Sequence, residues 1–521
     1  MNRVSRLWWI AVACMLALGV AQAQQIKRGP KVYTELKHDV SLPLRDMAKM
    51  VPAPTHGNRE IENRRGVVIR SAGNPAGVDN AVQTEVLPLV GTQGLLNFDG
   101  QAADGVAPPD TEGAVGATQY VQWVNLEYNV YDKTTGTKTL GPLQGSAFWS
   151  GFGGVCQNNN DGDPIILYDK VADRWMAAQN VFVTPYTVCI AVSTTNDATG
   201  TYNRYSFAVK PTSDFPDYPK WGVWPDAYYM SFNAFGTFSE VGAQACAADR
   251  NAMLAGNAAT MQCFTTSASD VNLLPSDQDG LTPPPAGSPN YYVDFSDTAH
   301  LNFWQFHVDF VNPSNSTFTG PTQLAITPFT QICIGNRACI PEPSPGEKVD
   351  SLGDRLMYRF AYRNFGSHES LVLSHTVKPS AGSTATAAVR WYEIRTPKTP
   401  KIFQTGTVQD KAISFWMPSI AMDKNGDIAL GFSASSSTMD PSVIYTGRVP
   451  ADPLNKMESN KVVVKGTGVQ KSTSNRWGDY SAMQVDPTDD CTFWYTQEYY
   501  KTTGSFNWTT RINSFKFPGC K

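Results

Sequence analysis

Five aspartates in this chain share one setting: a turn residue, the acid, then a short apolar run. They are Asp110 in "PPDTEGAV", Asp163 in "GDPIILYD", Asp226 in "WPDAYYMS", Asp354 in "GDRLMYRF" and Asp479 in "WGDYSAMQV". Acids carried on converging strands can divide acid and base work, because burial and mutual repulsion push their pKa values apart. Two carboxyls flanking one bond is the arrangement that glycoside hydrolysis needs. These five are therefore the candidate catalytic residues. Glu112 lies two positions past Asp110 and shares its face if the segment is a strand. Trp224 and Trp477 stand two residues before Asp226 and Asp479, and Trp416 holds the matching place ahead of Pro418 and Ser419. Flat indoles beside carboxylates suit sugar rings, so Glu112, Trp224, Trp416 and Trp477 are the expected substrate-binding groups. Each residue type also has a plainer use, since turn aspartates bond backbone amides and tryptophans pack between sheets.

The elements that must position these acids follow from their recurrence. A further copy of the phrase, "WMPSIAMD", carries Ser419 in the acid's place, and a degraded one lies around Asp277 in "SDQDG". Successive spacings of 53, 63, 51, 77, 65 and 60 residues suit a unit of four short strands, the size of a propeller blade. The expected fold is all-β, a seven-bladed β-propeller of four-stranded blades, with the aspartates ringed around one mouth of the central channel. Composition agrees, with 11% aromatic and 17% charged residues, 41 Gly and 35 Pro, as in proteins of many strands and tight turns. The last unit supplies three clear strands, and residues 83 to 98 could provide the fourth, closing the ring and hiding its edges. Residues 270 to 290, rich in Pro and Ser, read as a long loop.

Residues 1 to 23 read as an export signal: Arg3 and Arg6, an apolar run over residues 7 to 21, and a small-residue cleavage site at Ala21-Gln22-Ala23. Residues 24 to 82 form a basic arm, and 83 to 521 the propeller. The expected product is secreted or periplasmic, with no membrane span. Eight cysteines remain after the signal, and nearest-neighbour pairing joins Cys156 with Cys189, Cys246 with Cys263, Cys333 with Cys339, and Cys491 with Cys520. A net charge of -4 argues against a broad grip on nucleic acid. Ten Lys and Arg against six Asp and Glu in residues 24 to 80 make the arm basic and the body acidic.

No cofactor is required by this chemistry. Calcium has weak candidates in "NNNDGD", with Asp161, and in "DKNGD", with Asp423 and Asp427, which place oxygen ligands around a glycine but do not complete the twelve-residue calcium loop. His368 and His375 are seven apart and face opposite ways on one strand, which argues against zinc. The chain has no G-x-S-x-G, H-E-x-x-H or C-x-x-C-H sequence, which weakens serine hydrolase, metalloprotease and haem readings.

The stretches "GDRLMYRFAYRNFGSHESLVLSHTV" and "RWGDYSAMQVDPTDDCTFWYTQEYY" resemble a group of exported bacterial β-propeller proteins of unassigned role, over most of residues 95 to 520. That resemblance implies the fold and brings no activity. More distantly the chain is similar to sialidase-like propellers, whose Asp-box reads S-x-D-x-G-x-T-W. Here "SIAMDKNGDIALGFS" gives Ser419 and Asp423 at a different separation and no following Trp, so sialidase activity is not implied. The expected function is an exported glycan-active enzyme, a glycoside hydrolase ahead of a polysaccharide lyase, acting on extracellular glycan. A non-catalytic propeller binding glycan or protein is the alternative.

Overall fold

The computed structural model describes residues 29–50, 57–60, 69–72, 79–85, 87–209, 215–235, 240–380, 386–395 and 398–521. The export signal expected over residues 1 to 23 lies outside the described residues. The chain is all-β, built from antiparallel sheets. Short apolar runs rich in Val, Ile and aromatics, cut by Gly, Pro and Asp turns, form the strands, and both faces of most of them are buried.

Successive four-strand groups follow the chain. Glu112–Val115, Gln119–Val124, Glu127–Asp132 and Lys138–Gln144 form one sheet. Ile165–Asp169, Arg174–Val181, Thr187–Ser193 and Tyr202–Ala208 form the next, and Phe215–Val223, Tyr228–Phe235, Glu240–Ala248 and Thr260–Thr265 another. The groups that begin at Leu274–Asp279 and Met357–Asn364 are joined edge to edge by parallel pairing, Ser276 opposite Phe360. Ser414–Met422 and Ala482–Val485 begin the last two sheets. The first strand of each group neighbours the first strand of the next, and Ala482–Val485 returns to neighbour Glu112–Val115. The sheet of Ala482–Val485 takes its fourth strand from Gln93–Ala102, which pairs antiparallel with Trp508–Lys516, Phe98 opposite Ile512.

Asp226 does not begin a first strand. It sits in the turn after Phe215–Val223, so the first strand of that unit begins eleven residues earlier, at Phe215, and carries Asp217. Pro216 and Pro219 disguise the strand, which keeps its pairing by a shift of register between Asp217 and Lys220. Residues 270 to 290 are not all loop, because Leu274–Asp279 is a buried first strand.

The four disulfides join the nearest-neighbour pairs, Cys156 to Cys189, Cys246 to Cys263, Cys333 to Cys339 and Cys491 to Cys520. They fit an oxidising compartment. Among the described residues no helix is long and apolar enough to cross a membrane. The arm is partly built into the sheets. Lys31–Thr34 pairs with Thr260–Thr265, Lys37–Val40 pairs with Tyr202–Ala208, and Leu44 and Met47 of a short helix are buried. Farther along, buried Asp79 meets Arg390 in an ion pair.

Candidate functional site

The ends where the first strands begin gather Asp110, Asp163, Asp354 and Asp479 around Tyr218. The Tyr218 amide donates to Asp163 Oδ2 at 3.3 Å and its hydroxyl to the Asp479 carbonyl at 3.2 Å. Lys220 Nζ lies 3.3 Å from the centre of the Tyr218 ring and 4.1 Å from that of Tyr480, and the Arg355 guanidinium lies 4.5 Å from the Tyr218 ring centre. Tyr218 holds this place with a φ of +57°, a left-handed conformation that a bulky residue adopts only where surrounding contacts enforce it.

The carboxyls of this cluster divide by partner. Burial, and after it the neighbouring Asp163 carboxyl, which is within hydrogen-bonding reach, push Asp110 well above the ordinary range against the opposing pull of Arg476 and Lys220. Asp110 therefore favours its protonated form beside a second carboxyl. Burial pushes the Lys220 ammonium down to about 7, although Asp163 and Asp110 draw it up. Glu112 faces the same interior: it is fully buried, neither oxygen has a hydrogen-bond partner, and burial drives it up against the pull of Lys220 and Arg359. Asp354 by contrast accepts from Arg355 Nε at 2.8 Å and Nη2 at 3.2 Å and from Arg337 at 3.3 Å. Asp479 is ion-paired with Arg476. Deeper in, Arg359 holds Asp277 at 2.7 Å and Asp279 at 2.9 Å. Burial would raise Asp279, but Arg359 and Lys170 overcome it and keep the acid well below the usual range.

Asp226 is not in this group. Its neighbours are Tyr229 and, farther off, His307, and burial pushes it up to about 6. The repeat places Asp217 where Asp226 was expected.

The tryptophans are corrected as well. Trp224, Trp416 and Trp477 are 1%, 0% and 1% exposed, which leaves no ring face for a sugar. Trp224 packs edge-on to Tyr291 and Tyr362, and its Nε1 donates to the Ser288 carbonyl. Trp416 and Trp477 pack edge to face at 5.5 Å, and Trp477 Nε1 donates to Ser433 Oγ. Their regular spacing reports packing between sheets. Ser419 replaces an acid with a hydroxyl that accepts from the Met483 amide at 3.0 Å.

The oxygen-rich turns lie apart from each other. Asp161 accepts from the Phe182 amide. Asp423 Oδ1 accepts from the Asn425 and Asp427 amides, its Oδ2 is buried without a partner, and burial with the Asp427 charge pushes the acid up to about 8. Among the described residues no three His, Cys, Asp or Glu side chains gather as metal ligands. A cation at Asp423 and Asp427 would take the rest of its shell from carbonyls and water.

No protein-family model matches the chain, and a search of curated proteins finds no match. Among solved structures it is similar to the N-terminal domain of Nup159, with a TM-score of 0.37 and 8% identity over 85% of this chain and 100% of that one. An endo-arabinase from Bacteroides thetaiotaomicron VPI-5482 gives 0.31 and 10% over 69% of this chain and 95% of its own. An alpha-L-arabinofuranosidase from Lactobacillus brevis gives 0.29 and 12% over 68% and 91%. Likenesses at this level assign neither a family nor an activity to this chain.

The sequence reading missed Tyr218, Lys220, Tyr480 and the arginines. A signal for some of them was present, since Arg355 follows Asp354 and Tyr480 follows Asp479 directly.

Proposed function

We propose that the chain is a seven-bladed β-propeller closed by the strand Gln93–Ala102, exported from the cell, and that its acid-lined mouth hydrolyses extracellular glycan. The observation that carries this reading is the gathering of Asp110, Asp163 and Asp479 around Tyr218, with Asp110 pushed up by burial and by the Asp163 carboxyl beside a lysine pushed down to about 7. Asp110 and Asp163 as a pair can deliver a proton to a glycosidic oxygen, with Asp163, the more exposed of the two, as the face presented to substrate. Asp479, partly exposed beside Arg476, is the partner carboxylate on the other side of the bond. Lys220 and Tyr480 tune the pair, and Glu112 holds a proton in reserve beneath it. The reaction needs no cofactor, and calcium at Asp423 and Asp427 would serve only structure.

A second reading has its own support. Asp354 and Asp277 are each clamped by arginine, as in a mouth built for rigidity, and a non-catalytic propeller that binds glycan would use the same surface. Mass spectrometry of products from the mature protein with a panel of bacterial, plant and animal glycans separates the two. New oligosaccharides that disappear in Asp163→Asn support hydrolysis. Retention of glycan on the protein without any product supports the binding module and removes the enzyme.

A further inference from the structure

Beside the acid cluster the structure holds a cavity of about 270 Å³ whose wall includes Asp354 and Arg355 on one side and Ile69 and Arg70 of the arm on the other. This is near the lower end of the usual range for ligand pockets, roughly 300–1,000 Å³, and suits a single ring with its substituents better than a chain. Phe295 and Ile69 offer it apolar surface, and Ser269 and Asn272 offer hydroxyl and amide groups. Mixed lining of this kind matches a sugar, which is apolar on its ring faces and polar at its rim.

The arm is held in place here by its backbone. The Ile69 amide donates to Gln331 Oε1 at 3.0 Å, the Arg70 carbonyl accepts from the Thr298 amide at 3.0 Å, and the Ala72 amide donates to Thr298 Oγ1 at 3.1 Å. These bonds set Arg70 at the rim, where its side chain is exposed. The one acid in the wall, Asp354, is already bound by Arg355 and Arg337, and Arg337 also reaches Asp350. The wall itself carries two guanidinium groups, Arg70 and Arg355, against one carboxylate, Asp354, which leaves a cation in excess at a pocket with polar and apolar walls.

We propose that this cavity is a subsite for one carboxylate-bearing sugar residue, gripped by Arg70 and seated against Arg355. The proposal rests on the glycan reading above and names its substrate class, acidic glycans of the uronate kind. Its position agrees with that use. Arg355, which lines the cavity, lies over the Tyr218 ring, and the Tyr218 backbone amide donates to Asp163, so the cavity wall is continuous with the acid cluster. A guanidinium and a carboxylate form a paired, charge-assisted contact that a neutral sugar cannot make.

The test is calorimetric titration of the mature protein with trigalacturonate and with the carboxyl-reduced trisaccharide, in which every carboxylate has become a hydroxymethyl group. The expected result is binding of the acidic form about tenfold or more tighter than the reduced form, an advantage that shrinks with added salt and is lost in Arg70→Ala. Arg70 is exposed, so this variant keeps the fold, and Arg70→Lys should recover part of the affinity. Equal binding of the two trisaccharides, no binding of either, or unchanged affinity in Arg70→Ala overturns the subsite. The hydrolysis reading fails separately: Asp163→Asn and the parent protein would then both bind trigalacturonate and neither would release product. Product from neutral glycans alone, unaffected by Arg70→Ala, would keep hydrolysis and discard the subsite.

Discussion

Two groups of acids a short distance apart carry the same residue type in opposite states. Around Asp110, burial and the neighbouring Asp163 carboxyl are only partly opposed by Arg476 and Lys220, and the acid is pushed well above its ordinary range. Around Arg359, Asp277 and Asp279 each carboxylate has its guanidinium at hydrogen-bonding distance, and Asp279 stays ionised down to strong acid. The difference teaches that burial alone does not make an acid useful. Buried acids with a full set of cations are struts, and buried acids short of one are proton reservoirs.

Breaking the strut group should cost most. Arg359→Met leaves buried Asp277 without a cation and Asp279 with Lys170 alone, and about 3–5 kcal/mol of stability should be lost, read by urea denaturation. Asp354→Asn comes next: Arg355 and Arg337 keep only neutral acceptors, and a loss of about 2 kcal/mol is expected with product formation merely reduced. Asp110→Asn should do the reverse, abolishing product while stability at neutral pH falls by less than about 1 kcal/mol or rises, because a neutral amide replaces an acid that is costly to ionise. A fall as large as that of Asp354→Asn would place Asp110 among the struts.

Titration sharpens the same contrast. A buried acid whose folded pKa is raised binds its proton more tightly folded than unfolded, so its contribution to stability is complete below the unfolded value and is lost as pH climbs to the folded one. For Asp423, pushed up to about 8, that window runs from about pH 4 to 8. Asp423→Asn should flatten the decline by up to about 5 kcal/mol, measured as denaturation midpoints across the window. Lys220, pushed down to about 7, has the opposite sign. Between about pH 7 and 10 the unfolded chain holds the proton that the folded one has released, so stability rises with pH there, and Lys220→Met should remove this smaller rise.

Much of this was legible in the sequence, and the exceptions have physical reasons. The all-β class, the local pairing of cysteines and the start of first strands at Asp163, Asp354 and Asp479 followed from short-range pattern. Asp217 and Lys220 were hidden because Pro216 and Pro219 argue against a strand unless a bulge absorbs them. Trp224, Trp416 and Trp477 were spaced as expected but buried, since regular spacing does not say which side of the pleat meets water. The Arg359 clamp was invisible because Arg359 and Asp277 are 82 positions apart, and only the assembled sheets bring them together.

The pairing of Gln93–Ala102 with Trp508–Lys516 also governs the order in which the molecule can be made. The Arg511 side chain bonds Asn97 across 414 positions, so an early-synthesised strand waits for nearly the last one. Contacts of such long range slow folding and keep strand edges open during the wait. A chain halted before residue 508 should remain more sensitive to protease than the full chain, least so in the parts that the cysteine pairs Cys156–Cys189 and Cys246–Cys263 let settle early.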